Sequence, residues 1–385
     1  MSELQILFAV LIALYLFQCV AWVPQDATAF RPTFFSGWKW EREGFRLAAA
    51  RLRAVPANPL PPLNGVAVCH PEAIFVSPAG VSHAGGAAGP GGFTSFAGMS
   101  EVAAAGKQVR IGGAAFLGAA VPAEAERLAA WLESVRAMPE KKRGAAIEKR
   151  LAASLDGERA SERFAELHES AAWLEWTCTG LFSFLFVFLP LTVDAVGLVR
   201  VWPALLAALV ALVAAIAWQF RRAHRRLYPE GGEERWPAVM TIALSPVAAV
   251  RARDVLLREL FAGFHPLAVA RALCAEVEFR RIAARMLREF TYPIPGSVGE
   301  QQDAAAAACE AWYRERLGAA MRRALRDAGC EPEELLAPPA ASGPQSESYC
   351  PRCCQQYAVT GGTCADCGGI PLEPLERALE KSRSN

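Results

Sequence analysis

Residues 176–193 (WTCTGLFSFLFVFLPLTV) and 202–220 (WPALLAALVALVAAIAWQF) are two apolar runs that contain no charged side chain and are joined by fewer than ten residues. Each is long enough to cross a bilayer as a helix, the form in which a segment bonds all its own backbone groups. The short joint, residues 194–201 with Gly197 inside it, makes the pair a transmembrane hairpin. Trp173 and Trp176 flank the first run and Trp202 and Trp218 the second, where indole rings settle between hydrocarbon and headgroups. Pro190 lies close enough to its helix end to be tolerated. A third run, residues 4–23, has Gln5 and Gln18 as its strongly polar members and reaches about 30 Å as a helix. The chain of 385 residues is 53% hydrophobic, an excess that lipid would bury, and its formal charge of +1 removes the case for a wholesale nucleic-acid binder.

Basic residues set the orientation. Only Glu3 precedes the first run, whereas Arg31, Lys39, Arg42, Arg46, Arg51 and Arg53 follow it. A cleaved signal peptide, with Ala27-Thr28-Ala29 as its small-x-small site, would carry the opposite asymmetry. The expected topology is therefore three spans with the amino terminus outside. Residues 24–172 are then cytoplasmic, the 194–201 turn is external, and Arg221, Arg222, Arg225 and Arg226 return the chain to the cytoplasm. Alanine- and arginine-rich usage points to a bacterial protein of the inner membrane.

Outside the spans the texture changes several times. Residues 24–63 combine Phe30, Phe34, Phe35, Trp38, Trp40 and Phe45 with basic side chains, a blend suited to the headgroup layer, before Pro56, Pro59, Pro61 and Pro62 form a stiff connector. Residues 64–139 read as weak strands at 66–68, 73–77, 93–96, 107–111 and 114–117, closed by a helix after Pro122. Leu128, Trp131, Leu132, Val135 and Met138 give that helix one apolar face. The glycine-rich loop at 85–92 has no Gly-Lys-Ser/Thr after it and so is no phosphate cradle of the P-loop kind. This segment loosely resembles the small pleckstrin-homology-like modules of bacterial membrane proteins, a likeness of pattern over residues 64–139.

A helical connector fills 140–175. Residues 236–330 carry three helical stripes: Val247, Val250, Leu257, Leu260, Phe261 and Phe264; then Phe279, Ile282, Ala283, Met286 and Phe290; then Ala308, Trp312, Met321 and Leu325. They predict a small helical bundle, and 337–347 (APPAASGPQSE) reads as a linker.

Five of the 11 cysteines crowd into residues 350–367. Cys350-Pro-Arg-Cys353 and Cys364-Ala-Asp-Cys367 are two tight turns, each able to aim two thiolates at one cation, and two such turns complete a tetrahedral S₄ set. Gly368 and Gly369 give the second turn backbone freedom. Residues 348–373 resemble the zinc-ribbon family, whose CPxC and CxxCG knuckles clamp one metal between short hairpins. By that resemblance Cys350, Cys353, Cys364 and Cys367 are the ligands of a single structural Zn²⁺. Cys354 stands where the first knuckle usually has Gly, which leaves a shifted ligand choice open, and iron would accept the same four sulfurs. A redox Cys-x-x-Cys would need a strand-helix context that is not evident here.

Catalytic constellations are not recognisable. The 5 histidines show no convincing partners, and neither His-Glu-x-x-His nor Gly-x-Ser-x-Gly occurs. Each histidine, His224 and His265 included, reads as a surface or capping residue, and Glu175 as a carboxylate solvated by headgroups. The expectation is a multi-domain membrane protein with three transmembrane helices, a small α+β module, a helical cytoplasmic domain and a C-terminal zinc ribbon. Its expected partners are the lipid bilayer and another protein. Mixed charges around the ribbon, Arg352, Arg377, Lys381 and Arg383 against Glu347, Asp366, Glu373, Glu376 and Glu380, disfavour nucleic acid. Docking is the leading role, with a transport or secretion subunit and an unrecognised membrane enzyme as the alternatives.

Overall fold

A computed structural model of the chain describes residues 3–22, 27–30, 45–46, 54–56, 66–69, 74–83, 92–106, 108–118, 122–228, 235–293 and 304–375. Most of the expected headgroup segment and its proline connector, the 85–91 glycines and the 376–385 tail lie outside them.

Helix α1 (Glu3–Cys19) is followed by short strands β1 (Val20–Trp22), β2 (Ala27–Phe30), β3 (Phe45–Arg46), β4 (Ala54–Pro56) and β5 (Val66–Cys69). Then come β6 (Ile74–Val76), β7 (Gly80–His83), β8 (Gly92–Ser95), β9 (Val102–Ala105), β10 (Gln108–Ile111) and β11 (Ala114–Gly118). Helices α2 (Pro122–Ala137), α3 (Glu140–Ser154) and α4 (Gly157–Ser183) lead through one π-helical turn (Phe184–Phe188) into α5 (Leu189–Val196) and α6 (Leu198–Leu227). Beyond them lie α7 (Arg235–Leu244), α8 (Pro246–Ala249), α9 (Ala252–Phe261), α10 (Pro266–Leu273), α11 (Glu276–Thr291), α12 (Ala304–Asp327) and α13 (Pro332–Leu336). The chain ends in two-residue strands β12 (Ser348–Tyr349), β13 (Gln356–Tyr357), β14 (Thr363–Cys364), β15 (Ile370–Pro371) and β16 (Glu373–Pro374).

Two compact units divide these elements. One takes Met1–Ala73, Met99–Ser134 and Asp156–Ala275, the other Ile74–Gly98, Val135–Leu155 and Glu276–Asn385. The strands expected to close one module over 64–139 therefore fall in different units and different sheets, with antiparallel orders β3-β2-β5, β6-β7-β8 and β11-β10-β9. The helices of 236–330 divide likewise after residue 275.

The first unit is organised by the hairpin. Asp156 caps it by accepting from the Arg159 backbone N–H at 2.9 Å, and the chain then stays helical from Gly157 to Val196. Within this helix Leu167, Ala171, Leu174, Cys178, Leu181 and Leu185 are buried, at spacings that alternate four and three. Along α6 the buried Val213, Ile216, Phe220, Ala223 and Leu227 keep the same alternation. Each helix thus turns one apolar stripe inward, and the two pack along each other within the unit. Pro190 has no N–H to give, and the widened turn ahead of it, where Leu189 N–H reaches back to Phe184 O, absorbs the mismatch. The expected 194–201 turn contracts to Gly197 alone, whose φ of +87° reverses the chain. Both helices, Gly157–Val196 and Val199–Leu227, are long and apolar enough to cross a membrane. Helix α1 ends at Cys19, and Val20–Trp22 pairs with Ala54–Pro56 instead of extending the expected third run.

Polar side chains at the arginine-bearing end of the hairpin are paired. Glu175 lies 3.2 Å from the Arg253 guanidinium, so it is held by an ion pair inside the unit instead of by headgroups. His224 is buried with Nε2 2.9 Å from Glu259, not on the surface. His265 does cap α10, its Nδ1 accepting from Leu267 N–H at 3.0 Å.

In the second unit α12 packs on the β6-β7-β8 sheet, and Tyr313 meets Phe75 edge to face at 6.0 Å. The buried stripe of α12 runs through Ala306, Cys309, Tyr313, Leu317, Met321 and Leu325. The expected stripe through Ala308 and Trp312 is displaced: Ala308 is exposed and Trp312 half-buried. A four-residue step carrying Cys309 and Tyr313 is a weaker apolar signal than tryptophan, yet it is the one the sheet selects. Arg143 donates to the Val135, Arg136 and Met138 carbonyls and so closes the end of α2.

Candidate metal centre

The two cysteine knuckles are the tips of two small hairpins. β12 and β13 pair antiparallel around residues 350–355, and β14 pairs with β15 around residues 365–369. Strand β16 adds to β12 on its other side. In the first knuckle Cys354 N–H donates to Cys350 O at 2.8 Å and Cys350 N–H to Gln355 O at 2.9 Å. In the second, Gly369 N–H donates to Cys364 O at 3.1 Å. Gly368 turns the chain at φ +62°, and Cys354 occupies the matching place in the first knuckle at the same φ of +62°. The position that usually holds Gly thus keeps the left-handed backbone although a side chain stands there.

These turns bring together the Sγ atoms of Cys350, Cys353, Cys364 and Cys367, all within 4.8 Å of one another. Cys353 and Cys364 are 3.7 Å apart, which matches the edge of about 3.8 Å in a tetrahedron with bonds of about 2.3 Å. Cys354 is not among the converging sulfurs. Cys350, Cys364 and Cys367 are buried, with Ile370, Tyr357 and Leu372 packed round them, while Cys353 is exposed. The arrangement is zinc-ribbon-like, and the four sulfurs could hold one metal ion.

Charge in this cluster is unevenly distributed. Burial works against the Cys364 thiolate, but hydrogen bonds to it, led by the Tyr357 hydroxyl at 3.1 Å, outweigh that and bring the thiol down to about 7. Burial pushes Cys353 up to about 11 and Cys367 higher still. A cluster that holds one ready thiolate beside reluctant thiols is relieved by a dication, which takes all four as thiolates and releases their protons.

Sequence reasoning misses how the ribbon is seated. Arg352, inside the first knuckle, donates through Nη1 to the carbonyls of Glu289 (2.8 Å) and Tyr292 (2.6 Å) at the end of α11. In return Arg288 of α11 donates to Pro351 O at 3.1 Å and to Ala337 O. The Gln356 side chain holds Ala340 O and Ser342 N–H at 2.7 Å each. Residues 337–347 are thus pinned at both ends instead of acting as a free tether. The only sequence signal is an arginine between two ligand cysteines, and nothing in its spacing says that it faces a helix end.

Comparison with known protein families, with curated proteins and with solved structures finds no match for this chain.

Proposed function

We propose that the chain is a membrane-anchored cytoplasmic docking protein whose C-terminal ribbon is closed by one structural zinc ion. The observation that carries the anchor is the outward face of the helical hairpin. Trp173, Trp176, Phe188, Leu191, Trp202 and Val210 are all more than half exposed on helices that pack well on their inner seam. Water would penalise such a surface and hydrocarbon accepts it. The proposed setting is a bacterial inner membrane, with three spans, the amino terminus outside and the carboxy terminus in the cytoplasm. Cys350, Cys353, Cys364 and Cys367 would hold the zinc. Four thiolates fill its positions and leave none for water, so the metal's contribution is to cross-link the two hairpins.

Docking is assigned to the ribbon because its stability would come from the metal more than from a core, which leaves its exposed faces, Val359 at 52% among them, to bind a partner. In the full chain purified in mild detergent, mass spectrometry is expected to find a single zinc, and Cys364→Ser is expected to lose both the zinc and a soluble partner. A Cys364→Ser protein that binds no zinc yet keeps its partner would sink the docking role. A second reading, a subunit of a membrane transport or secretion assembly, is favoured by Ala207, Ala208 and Ala211. They lie exposed on α6, where small residues let another span approach closely. A stoichiometric membrane partner that survives loss of the ribbon would support it.

A further inference from the structure

Between the arginine cluster and Arg251, residues 236–250 read WPAVMTIALSPVAAV without one charged side chain. The run is too short to cross a bilayer, and a run of that length is either a core helix or a segment lying part-way into the membrane. Its packing decides between them. Helix α7 buries Val239 and Ile242 toward its neighbours in the first unit. Trp236, Met240 and Leu244, one stripe at four-residue spacing, are 54%, 50% and 76% exposed. A core helix does not leave such a stripe uncovered.

The polar groups of the segment look inward on themselves. The Thr241 hydroxyl donates to Pro237 O at 2.8 Å, and Ser245 caps α8 by accepting from Ala248 N–H at 3.2 Å. Hydrocarbon imposes this condition, because it offers no partner to a loose donor or acceptor. Both ends of the segment sit at the edge of the hairpin's apolar stretch. At one end the Arg221 guanidinium lies 5.0 Å over the Trp236 ring, beside Arg222 at 5.6 Å over Trp218. At the other, Cys178 Sγ lies 3.4 Å from Ala249 O, and the neighbouring Thr177 bonds Gln219, which sets that contact level with the same indoles. The chain then meets Arg251 and Arg253, which are buried in the unit, the latter on Glu175.

We propose that α7 and α8 form a re-entrant element whose exposed stripe is covered by acyl chains of the leaflet on the arginine side, so that the first unit touches lipid beyond its spanning hairpin. The inference rests on the membrane reading above. It can be tested on the full chain in vesicles of phosphatidylcholine and phosphatidylglycerol, with a nitroxide-bearing noncanonical residue replacing Met240, Leu244, Leu206 or Glu169 in turn. All four side chains are exposed, so the label disturbs no packing. Collisions with oxygen should exceed those with a water-soluble nickel chelate at 240 and 244, as at the lipid-facing 206, and fall below them at 169. Nickel-dominated collisions at 240 and 244 with oxygen-dominated collisions at 206 would overturn the re-entrant placement and leave the hairpin standing. Nickel dominance at 206 as well would overturn the membrane reading and this inference with it.

Discussion

The residue with the sharpest strain in the ribbon is Cys354, which holds φ at +62° with a side chain attached. An L side chain in that region costs on the order of 1 kcal/mol because Cβ crowds the following carbonyl. Its sulfur offers no compensation as a ligand, since the four converging sulfurs are those of Cys350, Cys353, Cys364 and Cys367. Cys354→Gly is therefore expected to stabilise the zinc-loaded ribbon by about 1 kcal/mol without changing the metal stoichiometry. Chelator competition together with a thermal melt would check both halves. Loss of zinc in Cys354→Gly would return this thiol to the ligand set. The ligand spacing was legible in the sequence because a Cys-x-x-Cys turn is a local object. The choice against Cys354 was not, because it depends on which way a neighbouring turn points.

At the scale of elements, the same contrast separates what spacing reveals from what it hides. The hairpin was legible from length and lack of charge, whereas its buried face was not, because large apolar side chains such as Phe188, Leu191 and Val210 stand on the exposed side while Ala171, Cys178 and Ala223 are buried. The division of strands between units was not legible. It is set by partners such as Cys309, whose thiol lies 3.4 Å from Phe75 O across 234 positions of sequence. The seat of the ribbon belongs to this hidden class. Arg352 satisfies two carbonyls at the end of α11, where the helix leaves acceptors without partners and a cation meets the negative end of the dipole. Hydrogen bonds to a charged donor contribute about 1.5–3 kcal/mol each, so Arg352→Ala should loosen both bodies together. Hydrogen exchange is expected to speed up at residues 288–292 as well as at 348–357, and stripping the metal from the intact chain should do the same. Faster exchange in the ribbon alone would mean that the two arginines do not couple it to the helix.

For the whole molecule the proposed sidedness turns on whether α1 crosses the membrane. Its helix ends at Cys19, so its described length is 17 residues, about 25 Å at the usual rise, slightly less than a typical hydrocarbon core. As the proposed third span, a helix of that length would be accommodated by modest thinning of the bilayer. In that topology the basic residues would choose the orientation. Arg31, Lys39, Arg42, Arg46, Arg51 and Arg53 stand after α1, and Arg221, Arg222, Arg225 and Arg226 stand at the end of α6. Positive charge resists translocation, and with three spans both groups stay in the cytoplasm. With the hairpin as the only crossing pair and α1 removed as a signal, the first group would be exported and the second with it. Truncation fusions to alkaline phosphatase separate the two. The expected pattern is inactive enzyme after residue 63, active enzyme after Gly197 where a single residue turns the chain, and inactive enzyme at the carboxy terminus. The reverse pattern, active after 63, silent after Gly197 and active at the end, would place the ribbon's thiols in an oxidising compartment. Four converging cysteines there are partners for disulfides before they are ligands for a metal, so the zinc would fall with the topology.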